Sequence, residues 1–274
     1  MDMPIVETSH LRMPRMGLGT WPMKGAECTG AVRSALALGY RHIDTAEMYG
    51  NEDAVGAGLA ASDVPRGDIF LTTKIWYDKP NGVAIRTAFA ASLARLATPY
   101  VDLLLIHWPS PELDLPDALA ALAALRAEGK ARAIGVSNFP AGLLRRAISE
   151  NVGLACLQVE CHALLDQSVL RDICVANDMA LTAYSPLGKG QALDQPVLHR
   201  IAAAHGATPA QVALAWLLAQ PNLAMVPKAA SPARQAENLG AIELRLTAED
   251  LSALAALPKD HRFVNPAFAP DWAA

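Results

Sequence analysis

Apolar residues in this chain form eight short runs, at positions 16–21, 41–46, 69–74, 101–107, 131–137, 154–160, 179–185 and 223–228. Several runs are continuous and rich in Leu or β-branched residues, as strands buried on both faces of a parallel sheet require. Between the runs the period changes. Ile85, Phe89, Leu93 and Leu96 share one helical face, and so do Leu115, Leu119, Leu122 and Leu125. The alanine-rich stretch 118–127 also favours helix. Thr208-Pro209 and Ser231-Pro232 pair an N-cap with a proline in the first turn. Thr247-Ala248-Glu249-Asp250 predicts the start of a further C-terminal helix. Gly39, Gly129 and Gly153 fall where helices should end before the next strand.

Eight strand–helix units in series predict an α/β fold, a (β/α)8 TIM barrel with an extra C-terminal helix. An open doubly wound sheet usually has fewer strands and a phosphate loop after the first. Positions 10–14 predict a small N-terminal hairpin plugging the bottom of the barrel. No composition break divides the chain, so 1–274 is expected to be one barrel domain.

Barrels of this kind carry their chemistry at the C-terminal ends of the strands, and polar residues concentrate there. Asp44, Lys74 and His107 end three consecutive runs, so they converge on one rim, and Tyr49 lies in the loop after Asp44. Taken singly, each is an ordinary strand-end or loop residue; together they suit carbonyl reduction. A phenol with an ordinary pKa of about 10 is a poor acid or base near neutrality. A neighbouring ammonium is expected to lower that value, and an Asp holds the ammonium charged. A neutral imidazole can donate to an oxygen that gains negative charge. The hydride must come from a cofactor. Trp21, Trp76 and Trp108, with Met48 and Phe139, are expected to wall an apolar pocket above this group.

Composition excludes other classes. A hydrophobic fraction of 52% with 18% charged residues is that of a globular protein, not a disordered one. The net charge of -4 leaves no basic face for nucleic acid or an anionic membrane. No apolar stretch reaches the roughly 18 residues of a membrane span. Residues 1–12, which contain Asp2, Pro4 and Glu7, lack the core of a signal peptide. Cys28, Cys156, Cys161 and Cys174 have no metal-ligand spacing and read as reduced thiols in a cytoplasmic protein; no metal is expected. Gly56-Ala57-Gly58-Leu59-Ala60-Ala61 fits a dinucleotide-loop pattern, but it follows no strand and lies in a predicted helix.

The segment from Gly39 to Ala46 with Tyr49-Gly50-Asn51-Glu52, the strand from Val101 to Pro109, Ile134 to Phe139, and Ala183 to Leu187 together resemble the signatures of the aldo-keto reductase family, in order and over nearly the whole chain. Within it the chain looks similar to the prokaryotic members that include diketogluconate reductases. The resemblance implies that Tyr49 is the acid/base, Lys74 its tuner, Asp44 the lysine's partner and His107 the carbonyl orienter. It implies that Ser137, Asn138 and Gln158 bind the nicotinamide carboxamide and that Tyr184 stacks on the ring. Ser185 and Leu187 would touch the pyrophosphate, and Lys228, Arg234 and Asn238 the 2′-phosphate and adenine. The implied cofactor is NADPH ahead of NADH, although Ala229 stands where the family often has Ser or Thr; Ser231 is a candidate substitute. The implied substrates are small aldehydes, dicarbonyls or keto-sugar acids, met by Trp21, Trp76, His107 and Trp108 in a monomer. Rivals are a metal-dependent barrel hydrolase using Glu160 and His162, a Schiff-base aldolase using Lys74, and a low-turnover NADPH-binding redox-sensing subunit.

Overall fold

A run with apolar residues on both faces must be covered on both faces, and a barrel wrapped in helices does this. In the computed structural model, which describes residues 3–273, the eight runs form strands β3 (Leu18–Gly19), β4 (His42–Asp44), β5 (Phe70–Ile75), β6 (Val101–Ile106), β7 (Ala131–Ser137), β8 (Cys156–Glu160), β9 (Ala180–Tyr184) and β10 (Leu223–Met225). Residues 1 and 2 of the stretch read for a signal peptide, and 274, lie outside the described residues. Neighbours in the chain are neighbours in the sheet, all parallel. Parallel bridges Met16–Met225 and Gly19–Lys228 close the ring. The seam is tight, since a Cβ on Gly19 would lie 2.4 Å from the Val226 carbonyl oxygen. The fold is therefore the (β/α)8 barrel that the pattern predicts.

The continuous runs split by strand alternation. On β6, Leu103 and Leu105 fill the barrel interior with Ala133, Cys156, Ala180 and Ala224. Leu104 and Ile106 pack outward under the helices. An antiparallel hairpin of β1 (Ile5–Glu7) and β2 (Arg12–Pro14) carries Met13, fully buried, into the interior cluster. The hairpin thus starts earlier than the predicted 10–14, because three residues on each side pair through a turn at residues 8–11.

The helices are α1 (Gly25–Ala37), α2 (Glu52–Ala60), α3 (Gly82–Leu96), α4 (Leu115–Ala127), α5 (Ala141–Ser149), α6 (Ser168–Ala176), α7 (Pro196–His205), α8 (Pro209–Leu218), α9 (Pro232–Gly240) and the extra C-terminal α10 (Ala248–Ala255). Thr208, Ser231 and Thr247 cap α8, α9 and α10, the first and last in full capping boxes. Gly39 and Gly129 follow α1 and α4 at positive φ, but α5 has already ended at Ser149 and Gly153 lies in the loop beyond. Gly56 and Gly58 sit inside α2. Cβ atoms there would lie 2.6 Å from the Leu96 carbonyl oxygen and 2.7 Å from Val32 Cβ, so these glycines let helices approach and form no phosphate loop. Among the described residues no single helix is long and apolar enough to cross a membrane.

Candidate active site

The loop from β4 to α2 carries Tyr49, and it is held from several sides. Thr45 Oγ1 donates to Asn51 Oδ1 at 2.7 Å, and the Asn51 amide donates to the Thr20 and Met23 carbonyls. Gly50 takes a left-handed turn (φ 56), and Lys24 donates to the Tyr49 carbonyl. Tyr49 therefore faces the strand ends on a fixed turn.

Lys74, fully buried on β5, uses three donors at once: Asp44 Oδ1 at 2.6 Å, the Thr45 carbonyl at 2.9 Å and the Tyr49 hydroxyl at 3.4 Å. An ammonium has three protons, so none remains. Burial works against its charge, but Asp44 and Tyr49 outweigh that, and its pKa moves up. Lys74 is a held ammonium, which leaves it no role as a Schiff-base nucleophile. Tyr49 corrects one sequence expectation. Burial raises the phenol above its usual value, and Lys74 offsets only part of the rise, so the net direction is upward. The ammonium acts with the expected sign, but loss of water around the ring is the larger effect. Tyr49 is a protonated phenol at neutral pH.

His107 follows β6 and lies edge-on to Tyr49 (5.5 Å) and Trp76 (5.1 Å). Burial and then the Lys74 charge hold it well below its usual value, so it is a neutral imidazole. Its Nδ1 is buried and is given no partner by the described residues. Asp44, Tyr49, Lys74 and His107 are thus brought together at one rim, in a network where Gln158 Nε2 also donates to Asp44 Oδ2 at 2.8 Å.

A cavity of about 530 Å³ opens above this group. It is lined by the apolar side chains of Trp21, Met48, Trp76, Trp108, Val226 and Phe268 together with Asn138, Tyr184, Ser185, Lys189 and Lys228. The Trp21 ring lies tilted, 5.2 Å from that of Tyr49, and is half exposed. Phe139, expected in this wall, is instead fully buried in the core. Asn138 sits in a left-handed conformation (φ 63), which Asn tolerates, and the chain turns inward after it. The Asn138 amide donates to the His107 carbonyl and Ser137 Oγ and accepts from the Tyr184 hydroxyl. Ser137 and Gln158 are buried beside it.

Lys228 and Arg234 are exposed, and Arg234 pairs with Glu237. Ala229 is buried, and Ser231 Oγ accepts from Arg234 N as the cap of α9. Asn238 is buried, while Leu187 is only partly so. Glu160 and His162 bond to each other, and the Glu160 carboxylate accepts from two backbone N–H groups of the C-terminal tail. That tail is the part sequence reasoning missed: Phe263, Val264, Asn265, Pro266 and Phe268 line the cavity although the tail is short. Its only signal was the density of aromatic residues after Pro258.

Comparison with known proteins identifies the family. Residues 15–259 match the Aldo/keto reductase family. The methylglyoxal reductase DkgB of Escherichia coli O157:H7 is 40% identical over 269 residues, covering 96% of this chain and 100% of the relative. A crystal structure described as a 2,5-diketo-D-gluconic acid reductase B superposes with a TM-score of 0.95 at 38% identity, over 100% of this chain and 98% of that one. An aldo-keto reductase of Bombyx mori, solved in complex with NADP, gives a TM-score of 0.90 at 31% identity, over 97% and 96% of the two chains. Rim geometry, barrel topology and a match across most of its length agree: this chain belongs to the aldo/keto reductase family.

Proposed function

We propose that the chain reduces small aldehydes, ketones and dicarbonyls to alcohols with NADPH, and that Tyr49 supplies the proton. The observation that carries this is the pairing of protonation states at one cavity. A phenol that keeps its proton and an imidazole that stays neutral lie 5.5 Å apart, with a held ammonium behind the phenol. A carbonyl oxygen seated between them would take the Tyr49 proton as it gains charge. His107 would donate a hydrogen bond to the same oxygen. Lys74 and Asp44 would act through Tyr49 by fixing its orientation.

The residues present fit a nicotinamide dinucleotide. Asn138, Tyr184 and Lys228 line the cavity, Ser137 and Gln158 are buried beside Asn138, and Arg234 is exposed in the first turn of α9. Ser185 and Leu187 would meet the pyrophosphate, and Asn238 the adenine. When bound, NADPH would supply the hydride. The exposed cations suit a 2′-phosphate and support NADPH over NADH, as does the NADP complex of the Bombyx mori relative. The name of the Escherichia coli relative supports methylglyoxal as a substrate. Trp21, Trp76 and Trp108 would hold the substrate's apolar part. Every group invoked comes from one chain, so a single-domain monomer suffices. Four buried thiols in no disulfide fit a cytoplasmic enzyme.

The test is NADPH consumption with methylglyoxal, glyceraldehyde and a keto-sugar acid, repeated with NADH. Turnover with NADPH at a lower KM than NADH is expected. NADPH binding without turnover on any carbonyl would replace the reading with a redox-sensing subunit.

A further inference from the structure

The tail is fastened to the barrel in two steps and then runs free of hydrogen bonds to it. First, Asp166 N donates to the Lys259 carbonyl and His261 N to the Leu164 carbonyl. Second, the Glu160 carboxylate, fully buried at the end of β8, takes Phe263 N on Oε1 at 2.8 Å and Val264 N on Oε2 at 3.0 Å. Lys189 Nζ adds a bond to the Phe263 carbonyl at 2.8 Å. Beyond Val264, the hydrogen bonds among the described residues are internal to the tail: Ala269 to Pro266, Trp272 to Asn265 and Ala273 to Asp271. Its remaining hold on the rim is aromatic. Phe268 stacks on Tyr77 at 4.5 Å and stands edge-on to Trp76 (5.4 Å) and Trp108 (5.5 Å).

Glu160 is prepared for this task. Leu164 N donates to His162 Nδ1, so His162 Nε2 carries the proton and donates to Glu160 Oε1 at 3.1 Å. Arg262 stands 3.9 Å from Oε2 and stacks 3.7 Å over Trp272. Burial pushes the carboxyl up, but the bonds from His162, Phe263 and Val264 outweigh it, and the net direction is down. The acid is a carboxylate with both oxygens engaged. The same strand presents Gln158 to Asp44, two residues earlier. One strand end therefore touches the reacting group and ties down the wall above it.

We propose that Glu160 is a positioning residue that selects bulky carbonyl substrates, by clasping the Phe263–Val264 backbone so that Phe268 stands as a wall of the cavity. This rests on the reading that the carbonyl substrate binds in that cavity. A substrate that reaches Phe268 should depend on the clasp; a three-carbon dicarbonyl should not.

The test compares benzaldehyde with methylglyoxal. Glu160→Gln keeps the shape but loses the charge and one acceptor oxygen. It should raise KM for benzaldehyde about tenfold, or about 1.4 kcal/mol, with kcat within about twofold and methylglyoxal KM within about twofold. Phe268→Ala should do the same, and the double variant should be no worse than the worse single one. Val264→Pro removes a donor from the tail side without touching the barrel, and it decides the matter if Glu160→Gln fails to fold. In each clasp variant the tail should become protease-sensitive while the barrel stays intact. Equal KM changes for both aldehydes, or additive effects with Phe268→Ala, would overturn the clasp. Wild-type protein turning over neither aldehyde would instead overturn the functional reading on which the clasp depends.

Discussion

The two sides of the rim are built on opposite principles. On the side of β4, β5 and β6, Asp44, Lys74 and His107 are buried and Tyr49 is partly so, and Lys74 spends its protons on Asp44, Thr45 and Tyr49 before any ligand arrives. On the side beyond β10, Lys228 and Arg234 stand in water, and Arg234 pairs, among the described residues, with Glu237 on its own helix. The first side has its protonation states set by the fold. The second is a solvated cluster of charge whose worth depends on what binds. Changes on the first side should therefore be large and insensitive to salt, and changes on the second modest and weakened by salt.

Removing Lys74 should break the contrast most severely. Lys74→Met leaves the Asp44 carboxylate buried without its cation, which costs about 3–5 kcal/mol in such pairs. It also removes the one influence that lowers the Tyr49 pKa. Reduction should fall by about 10²-fold or more, any surviving pH dependence should move upward, and the denaturant midpoint should drop. An unchanged midpoint and pH profile would show that the pair is not the organising element.

The solvated side gives a smaller effect. Lys228→Ala combined with Arg234→Ala should raise KM for NADPH about tenfold and leave KM for NADH nearly unchanged, with the difference shrinking as salt rises. Equal losses for both cofactors would mean that these cations do not read the 2′-phosphate.

The smallest effect is on stability. The folded His107 stays neutral well below 6.5, whereas an unfolded histidine takes up a proton near 6.5. The unfolded state then binds more protons, so stability is lost as pH falls through 6.5, by up to about 1.4 kcal/mol per pH unit. Urea unfolding at about pH 7.5 and about pH 5.5 should show this slope in wild type and its reduction in His107→Asn. The same slope in both would place the titration elsewhere.

The extent to which sequence predicted this site follows the same division. Asp44, Lys74 and His107 were legible because strand period and strand order force them onto one rim. The barrel strands were legible too, although β3 and β10 are shorter than their apolar runs, because much of the seam pairs only through isolated bridges. The net direction at Tyr49 was not legible, since it depends on how much water the packed loop excludes. Phe139 was misplaced because a left-handed Asn138 reverses the direction a rim residue would take. The wall at Phe268 and the clasp at Glu160 left little trace. An aperiodic tail has no pattern, and the partners of Glu160 there are backbone N–H groups, which every residue but proline has.

The central claim is that Tyr49 is the proton donor and takes little part in holding the cofactor. Steady-state reduction of methylglyoxal and equilibrium NADPH binding, measured on the same preparation of Tyr49→Phe, test it directly. Turnover should fall by about 10²–10⁴-fold with the NADPH Kd within about twofold of wild type. Retained turnover, or a loss of activity matched by a loss of NADPH binding, would contradict it.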